Sequence, residues 1–213
     1  MEITWYGHSC FRLMERGTAS IVTDPFDESI GYEVPTLRAD IVTVSHDAPG
    51  HNAVQNVKRV QHVLNRPGEY EIGGVFITGV ETYDPHADPK NVRRNIIFVF
   101  SFNGVTVAHL GDLAHVPDQT QVEQLGPIDI LLVPVGGGGA LNSAQASEVI
   151  SLIEPAIVIP MHYKTPHARV QLDPLDKFMK EMGVSEWEEQ DSLKVSAIAE
   201  SEETQIVVLT YTH

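Results

Sequence analysis

Two apolar runs, Ile128–Val135 (interrupted only by Asp129) and Ala156–Pro160, flank a segment that opens with a helix-start signal, Asn142 followed three residues later by Gln145. Runs of that kind suit buried central strands, and an Asn/Gln pair at that spacing suits a capping box at the head of a helix over Ser143–Ile153, closed by Pro155. Together they commit the second half of the chain to an alternation of strands and helices. Gln119–Leu125 is helical in tendency, and Leu175–Met182 reads as a short helix stopped by Gly183. The first half reads differently. Short β-like runs at Ile3–Tyr6, Ser9–Met14 and Ala19–Thr23 are separated by turn signals, and Ala39–Ser45 is a stronger, β-branched strand. Further strands are expected at Arg59–Leu64 and Val75–Val80. Ile96–Phe102 and Val105–Leu110 flank Asn103-Gly104, the preferred chemistry of a two-residue hairpin turn. Leu193–Ile198 and Gln205–Tyr211 are expected to close the chain as a strand pair. With no fixed-period repeat and no low-complexity linker, the expectation is one layered α/β domain over residues 1–213.

Composition narrows the partners. Fourteen Lys+Arg against 29 Asp+Glu give a net charge of −15, which raises the cost of approaching nucleic acid or anionic lipid. No apolar run approaches the roughly 18–20 residues of a membrane span. The opening Met-Glu-Ile-Thr-Trp-Tyr-Gly-His lacks the basic start and apolar stretch of a secretory leader. A soluble cytoplasmic protein without nucleic-acid or membrane partners is expected, its oligomeric state left open. A single Cys excludes an internal disulfide and a Cys-based zinc cluster, whereas there are ten His. Any bound metal must therefore be held by imidazole and carboxylate.

Several of those groups fall at the ends of expected strands. His46 and His51 follow the Ala39–Ser45 strand, Asp112 follows Val105–Leu110, and His162 follows Ala156–Pro160. Strand ends are rigid, and the loops beyond them can leave a coordination position open. The His-x₄-His spacing alone is weak, because roughly half of random chains with this many His contain such a pair. The metal reading therefore rests on the four strand-end placements. Other features have plainer readings. Gly136–Gly139 lacks the Lys-Ser/Thr of a phosphate loop and is read as a loop that lets backbone approach the site. Cys10 sits among apolar neighbours as a core residue. His62, His109 and His115 are given structural roles, and His167 and His213 solvated ones. Arg93, Arg94 and Lys164 either meet an anionic substrate or serve as solubilising loop charge.

Six segments occur in a telling order: Ile3-Thr4-Trp5-Tyr6-Gly7-His8-Ser9, Asp24-Pro25-Phe26, Ser45-His46…His51-Asn52, His109-Leu110-Gly111-Asp112-Leu113, Pro134-Val135-Gly136-Gly137 and Ile159-Pro160-Met161-His162-Tyr163. The set resembles the metallo-β-lactamase superfamily, in particular the branch of L-ascorbate-6-phosphate lactonase and related metal-dependent hydrolases, over nearly the whole chain. The resemblance implies a four-layer αββα sandwich with a metal site at one edge of two sheets. The family's His-x-His-x-Asp-His motif is degraded here. His46 and His51 keep its first and last positions, while Ala48 and Gly50 replace the middle His and the Asp. Where the family places its next His, this chain has Asp84, with His86 two residues on. Asp112 matches the bridging Asp and His162 the last His.

The implied ligands are thus His46, His51, Asp84, Asp112 and His162, with Asp24 bracing the motif loop and His86 near the cleft; His8, at a strand end, either lines the cleft or is a hydrogen-bonded packing residue. The implied cofactor is one divalent ion (Zn, Mn or Fe) on His51, His162 and Asp112, rather than two. The implied activity is hydrolysis of a small ester, lactone or phosphoester through a metal-bound water. Glycine at position 50 cannot orient that water, and the adjacent Asp47 is expected to point elsewhere. The competing expectation, motivated by Ala48, Gly50 and Asp84, is a non-catalytic member that binds a ligand or partner.

Overall fold

The computed structural model describes residues 1–83, 93–198 and 203–212. Strands β1 (Glu2–Trp5) and β2 (Phe11–Met14) form an antiparallel hairpin whose alternation turns Ile3, Trp5, Phe11 and Leu13 inward. β3 (Ile21–Thr23) pairs antiparallel with β2, and β4 (Ile41–Thr43) then runs parallel to β3. Every residue of β3 and β4 is buried, as their β-branched composition suits. β5 (His62–Leu64) adds a further parallel strand.

The second sheet begins with an antiparallel run: β6 (Gly68–Ile72), β7 (Val75–Tyr83), β8 (Arg94–Phe102) and β9 (Val105–His109). It then turns parallel through β10 (Ile130–Pro134) and β11 (Ile157–Met161). Helices α1 (Gln119–Leu125), α2 (Ser143–Ile153) and α3 (Leu175–Glu181) supply the crossovers and a covering layer; α2 packs on β10 and on α3. Both α1 and α2 open with capping boxes, Asp118/Gln121 and Asn142/Gln145, and their bounds match those expected from the sequence.

The C-terminal segments depart from expectation. β12 (Leu193–Lys194) joins β1, while β13 (Gln205–Ile206) joins β11, so the two finish opposite sheets instead of pairing with each other. Each is only two residues long and gains its backbone partners by extending an existing sheet edge. The resulting orders are β12-β1-β2-β3-β4-β5 and β13-β11-β10-β9-β8-β7-β6.

The largest apolar cluster joins both sheets to α2 and α3, with Trp5, Phe11, Phe98, Phe100 and Phe178 among its buried rings. A second cluster lies around Cys10, Val22 and Val42, covered by Phe26, Ile30 and Tyr32 from loops and a 3₁₀ turn and by Val57 from a two-residue strand paired with Leu37–Arg38. Two sheets, the α2/α3 layer and that loop-rich chain make four layers, as the resemblance implies, although among the described residues the fourth layer holds 3₁₀ turns in place of α-helices. No helix among the described residues is long and apolar enough to cross a membrane.

Strand direction is what assembles a site. Because β3 and β4 are parallel, as are β9, β10 and β11, their C-terminal ends emerge together at one edge of each sheet. The two edges are tied by backbone bonds, Ile96 N to Ser45 O at 2.9 Å and His162 N to His8 O at 3.1 Å.

Candidate metal centre

Asp24, the residue after β3, is fully buried and holds an unusual left-handed backbone, φ 38°. Its carboxylate accepts hydrogen bonds from Ser45 N (2.7 Å), Ser45 Oγ (2.5 Å) and His51 Nδ1 (2.9 Å). With the proton fixed on Nδ1, the lone pair of His51 Nε2 faces inward. There it lies 3.4 Å from Asp112 Oδ1 and 3.1 Å from His8 Nε2. His162 Nε2 is 3.2 Å from the same Oδ1, and His46 Nε2 is 3.6 Å from Asp112 Oδ2. The structure therefore brings His8, Asp24, His46, His51, Asp112 and His162 into one buried cluster. Asp84 and His86 lie outside the described residues.

Asp112 is held by the turn that follows β9. Gly111 adopts φ 58°, and a Cβ there would stand 2.4 Å from Asn95 Oδ1 and 2.5 Å from Ser45 Cβ, so only glycine lets these chains meet. Asn95 Oδ1 accepts the Asp112 N–H at 2.9 Å, while its Nδ2 donates to Leu110 O at 3.0 Å and Thr82 Oγ1 at 3.2 Å. The amide thus clamps the turn to β7 and β8. In the sequence Asn95 is marked only by its place after Arg93 and Arg94, which does not reveal this clamp. His109 is structural: its Nε2 meets Ser9 O at 2.8 Å, and its Nδ1 accepts from Gly111 N at 3.2 Å. His115, also expected to be structural, is buried with neither ring nitrogen hydrogen-bonded among the described residues. It lines a small void with His46, Arg93 and Asp112.

Electrostatics set the donors in ligand form. Burial, then the neighbouring His162 and His51, push the His8 imidazole well below its ordinary range. Burial likewise lowers His46 and His162. Burial also opposes charge on His51, but Asp112 and Asp24 outweigh it and raise that residue. Burial disfavours the Asp112 anion, yet the surrounding imidazoles, His51 first, hold its carboxyl far below the usual carboxylate range. Neutral imidazoles at His8, His46 and His162 beside ionised carboxylates suit a divalent cation, whereas His51, whose charged form the two carboxylates favour, would give up its Nε2 proton as the cation binds.

A cation also answers an otherwise unmet demand. Asp112 Oδ1 and His46 Nε2 are buried without a hydrogen-bond partner among the described residues. A buried anionic oxygen facing imidazole lone pairs is costly unless positive charge lies between them. The residues present therefore fit a divalent metal ion. Other expected features lie nearby. Arg93 reaches Asp112 Oδ2 at 3.5 Å and Gly139 O at 3.4 Å. Arg94 pairs with Glu81, and Lys164 is exposed. Asp47 is exposed and engaged by Asn52 Nδ2 at 2.5 Å. Cys10 is wholly buried and its thiol is pushed up by that burial, in keeping with a core residue.

The model of the β-lactamase superfamily domain matches residues 2–162. The chain belongs to the metallo-β-lactamase superfamily. Within that superfamily it is similar to a solved structure from Thermotoga maritima, described as a candidate Zn-dependent hydrolase. The two are 40% identical with a TM-score of 0.78, over 98% of this chain and 97% of that one. Its curated relatives include the UPF0173 metal-dependent hydrolase of Archaeoglobus fulgidus, 29% identical over 83% of this chain and 88% of its own length. A Pyrococcus abyssi protein of the same name is 26% identical over 97% of this chain and its own full length, 100%. This metallo-β-lactamase superfamily member thus stands among relatives named as metal-dependent hydrolases along nearly their whole length.

Proposed function

We propose that this chain is a hydrolase of a small, anionic ester, lactone or phosphoester, using one divalent ion held by His51, His162 and Asp112. The observation that carries the reading is Asp112 Oδ1, buried, ionised and without a hydrogen bond, yet within 3.4 Å of two imidazole nitrogens. A divalent ion at such a place supplies Lewis acidity towards a carbonyl or phosphoryl oxygen and lowers the pKa of water. The chain does the rest. Asp24 fixes the His51 ring, Asn95 fixes the Asp112 turn, and His46 stands between the cluster and the cleft, its Nε2 turned to Asp112 Oδ2 at 3.6 Å.

Further observations support the finer parts. A cleft of about 710 Å³ opens beside His46, a size suited to a small molecule. Arg66, Arg93 and Arg94 line it, so an anionic group is favoured in a chain whose overall charge is negative. The Arg93 guanidinium, 3.5 Å from Asp112 Oδ2, also puts positive charge where a second ion would need to share that oxygen, which supports one ion over two. The same reading takes residues 1–213 as one domain, since a single apolar cluster runs from Ile3 to Leu209.

The test is metal analysis of the purified protein, reconstitution with Zn²⁺, Mn²⁺ or Fe²⁺, and assay against phosphomonoesters, phosphodiesters, carboxylate esters and lactones. Turnover should require the ion and disappear with chelator. His162→Ala should lower kcat/KM by at least about 100-fold with the fold intact. Arg94→Ala should raise KM for anionic substrates and leave neutral ones little changed. A protein that carries no metal, or gains no activity with any of the three, would overturn the proposal.

A further inference from the structure

We infer that His8, from the turn between β1 and β2, occupies the ligand position that Gly50 leaves empty, so that the ion is held by His8, His51, His162 and Asp112. This rests on the metal-dependent reading above and concerns how the ion is held. Gly50 stands where the superfamily motif has its Asp. A Cβ built on Gly50 would stand between Ile30 Cγ2 at 3.0 Å and the His8 ring, with Nε2 at 3.2 Å and Cδ2 at 3.3 Å. The imidazole edge therefore lies where a side chain at position 50 would project. A donor lost from the motif loop is met by another from a different strand pair.

Donor spacing supports the assignment. Zinc–imidazole and zinc–carboxylate bonds of about 2.0–2.2 Å set tetrahedral edges of about 3.3–3.6 Å. The edges here are 3.1 Å from His8 Nε2 to His51 Nε2, 3.4 Å from His51 Nε2 to Asp112 Oδ1, and 3.2 Å from His162 Nε2 to Asp112 Oδ1. Ligand atoms of His8, His51 and His162 all lie within 4.8 Å of one another. A plain hydrogen bond from His8 to His51 would account for the first distance. It leaves Asp112 Oδ1 unpartnered beside the same nitrogen, which a shared cation does not.

The turn is built to hold His8 still. His8 O accepts from Trp5 Nε1 at 3.0 Å and from His162 N at 3.1 Å, which clamps it to both sheets. Only five non-glycine residues among those described have positive φ, and three of them are His8, Asp24 and His162. Backbone strain of that sort persists where surrounding structure enforces it, and it gathers at functional sites. Exchanging a carboxylate for an imidazole also alters the charge. One anionic donor in place of two leaves a divalent ion with a net positive charge, next to the arginine-lined cleft.

Co²⁺ titration followed by visible absorption tests the assignment, using wild type, His8→Gly, His8→Gln and, as control, the exposed His62→Ala. His8→Gly suits the left-handed backbone of that position and leaves an imidazole-sized gap. Wild type and His62→Ala should bind one equivalent with the same spectrum. Both His8 variants should bind about 10–100-fold more weakly with an altered band, and added imidazole should restore affinity and band in His8→Gly. Folded His8 variants, judged by circular dichroism, that bind Co²⁺ with wild-type affinity and spectrum would overturn the inference and leave the hydrolase reading standing. If His8→Gly does not fold, His8→Gln decides. Failure of the wild type to bind Co²⁺ would overturn both.

Discussion

At Asp24 one carboxylate sets the tautomer of His51, because it accepts the Nδ1–H and leaves Nε2 facing Asp112. An amide cannot reproduce this. In Asp24→Asn one side-chain atom becomes a donor facing N–H or O–H groups that also donate, in a fully buried place. We expect stability to fall by about 1–3 kcal/mol and metal affinity by about 10–100-fold, checked by urea unfolding and Co²⁺ titration. Unchanged affinity would mean that the tautomer of His51 does not matter. At this scale the sequence was informative where chemistry follows a strand end, as at His46, His51, Asp112 and His162. It put His8 near the cleft without a role, because that role depends on what is missing elsewhere. His8 has meaning only through its contact 43 residues away with His51 and the absent side chain of Gly50. Asn95 acts through a turn that no local pattern announces.

Among the elements, those with local stop and start chemistry were readable and those without it were not. The boxes Asp118/Gln121 and Asn142/Gln145 set the heads of α1 and α2, and Gly183 at φ 72° follows the end of α3. Asn142→Ala should therefore cost about 1 kcal/mol in chemical denaturation. β12 and β13 carry no such mark: two residues each, they are strands only because an edge strand awaits them, and a sequence cannot show which edge. The parallel group β3, β4 and β5 has a brace that can be tested by pH. Asp40 Oδ2 accepts from Ser20 N at 2.8 Å and Ser20 Oγ at 2.7 Å, while its carbonyl accepts from Gln61 N and His62 N. The backbone and side-chain bonds from Ser20 lower its carboxyl pKa in the folded state. A lowered folded pKa means a contribution that is complete above the unfolded value of about 3.9 and is lost as pH falls through the folded value. Asp40→Asn should thus be destabilising in urea at pH 6, and the gap from wild type should narrow steadily below pH 4. A gap independent of pH would assign the effect to packing.

Over the whole molecule, the metal cluster sits at the rim of a core that does not need it. Trp5 and Phe11 from one sheet, Phe98 and Phe100 from the other, and Phe178 from α3 are buried in one apolar cluster, unlike small zinc domains that fold only around their ion. The metal-free chain should remain folded, and the ion should act by mass action on an already stable state. At a free concentration about 100 times its Kd, one ion adds about 2.7 kcal/mol. For a chain of 213 residues this corresponds to a Tm increase of about 5–10 °C, reversible by chelator. The increment should shrink in His8→Gly and Asp24→Asn in step with their weaker affinity, because linkage ties the two quantities together. It should be unchanged in Asn142→Ala, whose cost is the lost cap bond from Gln145 N at the head of α2 rather than a bond to any donor. Calorimetry with and without Zn²⁺ measures all of this. One cooperative transition in both conditions would fit a single domain stabilised at its rim, whereas a metal-sensitive transition followed by a metal-insensitive one would mean that the donor loops melt apart from the sheets.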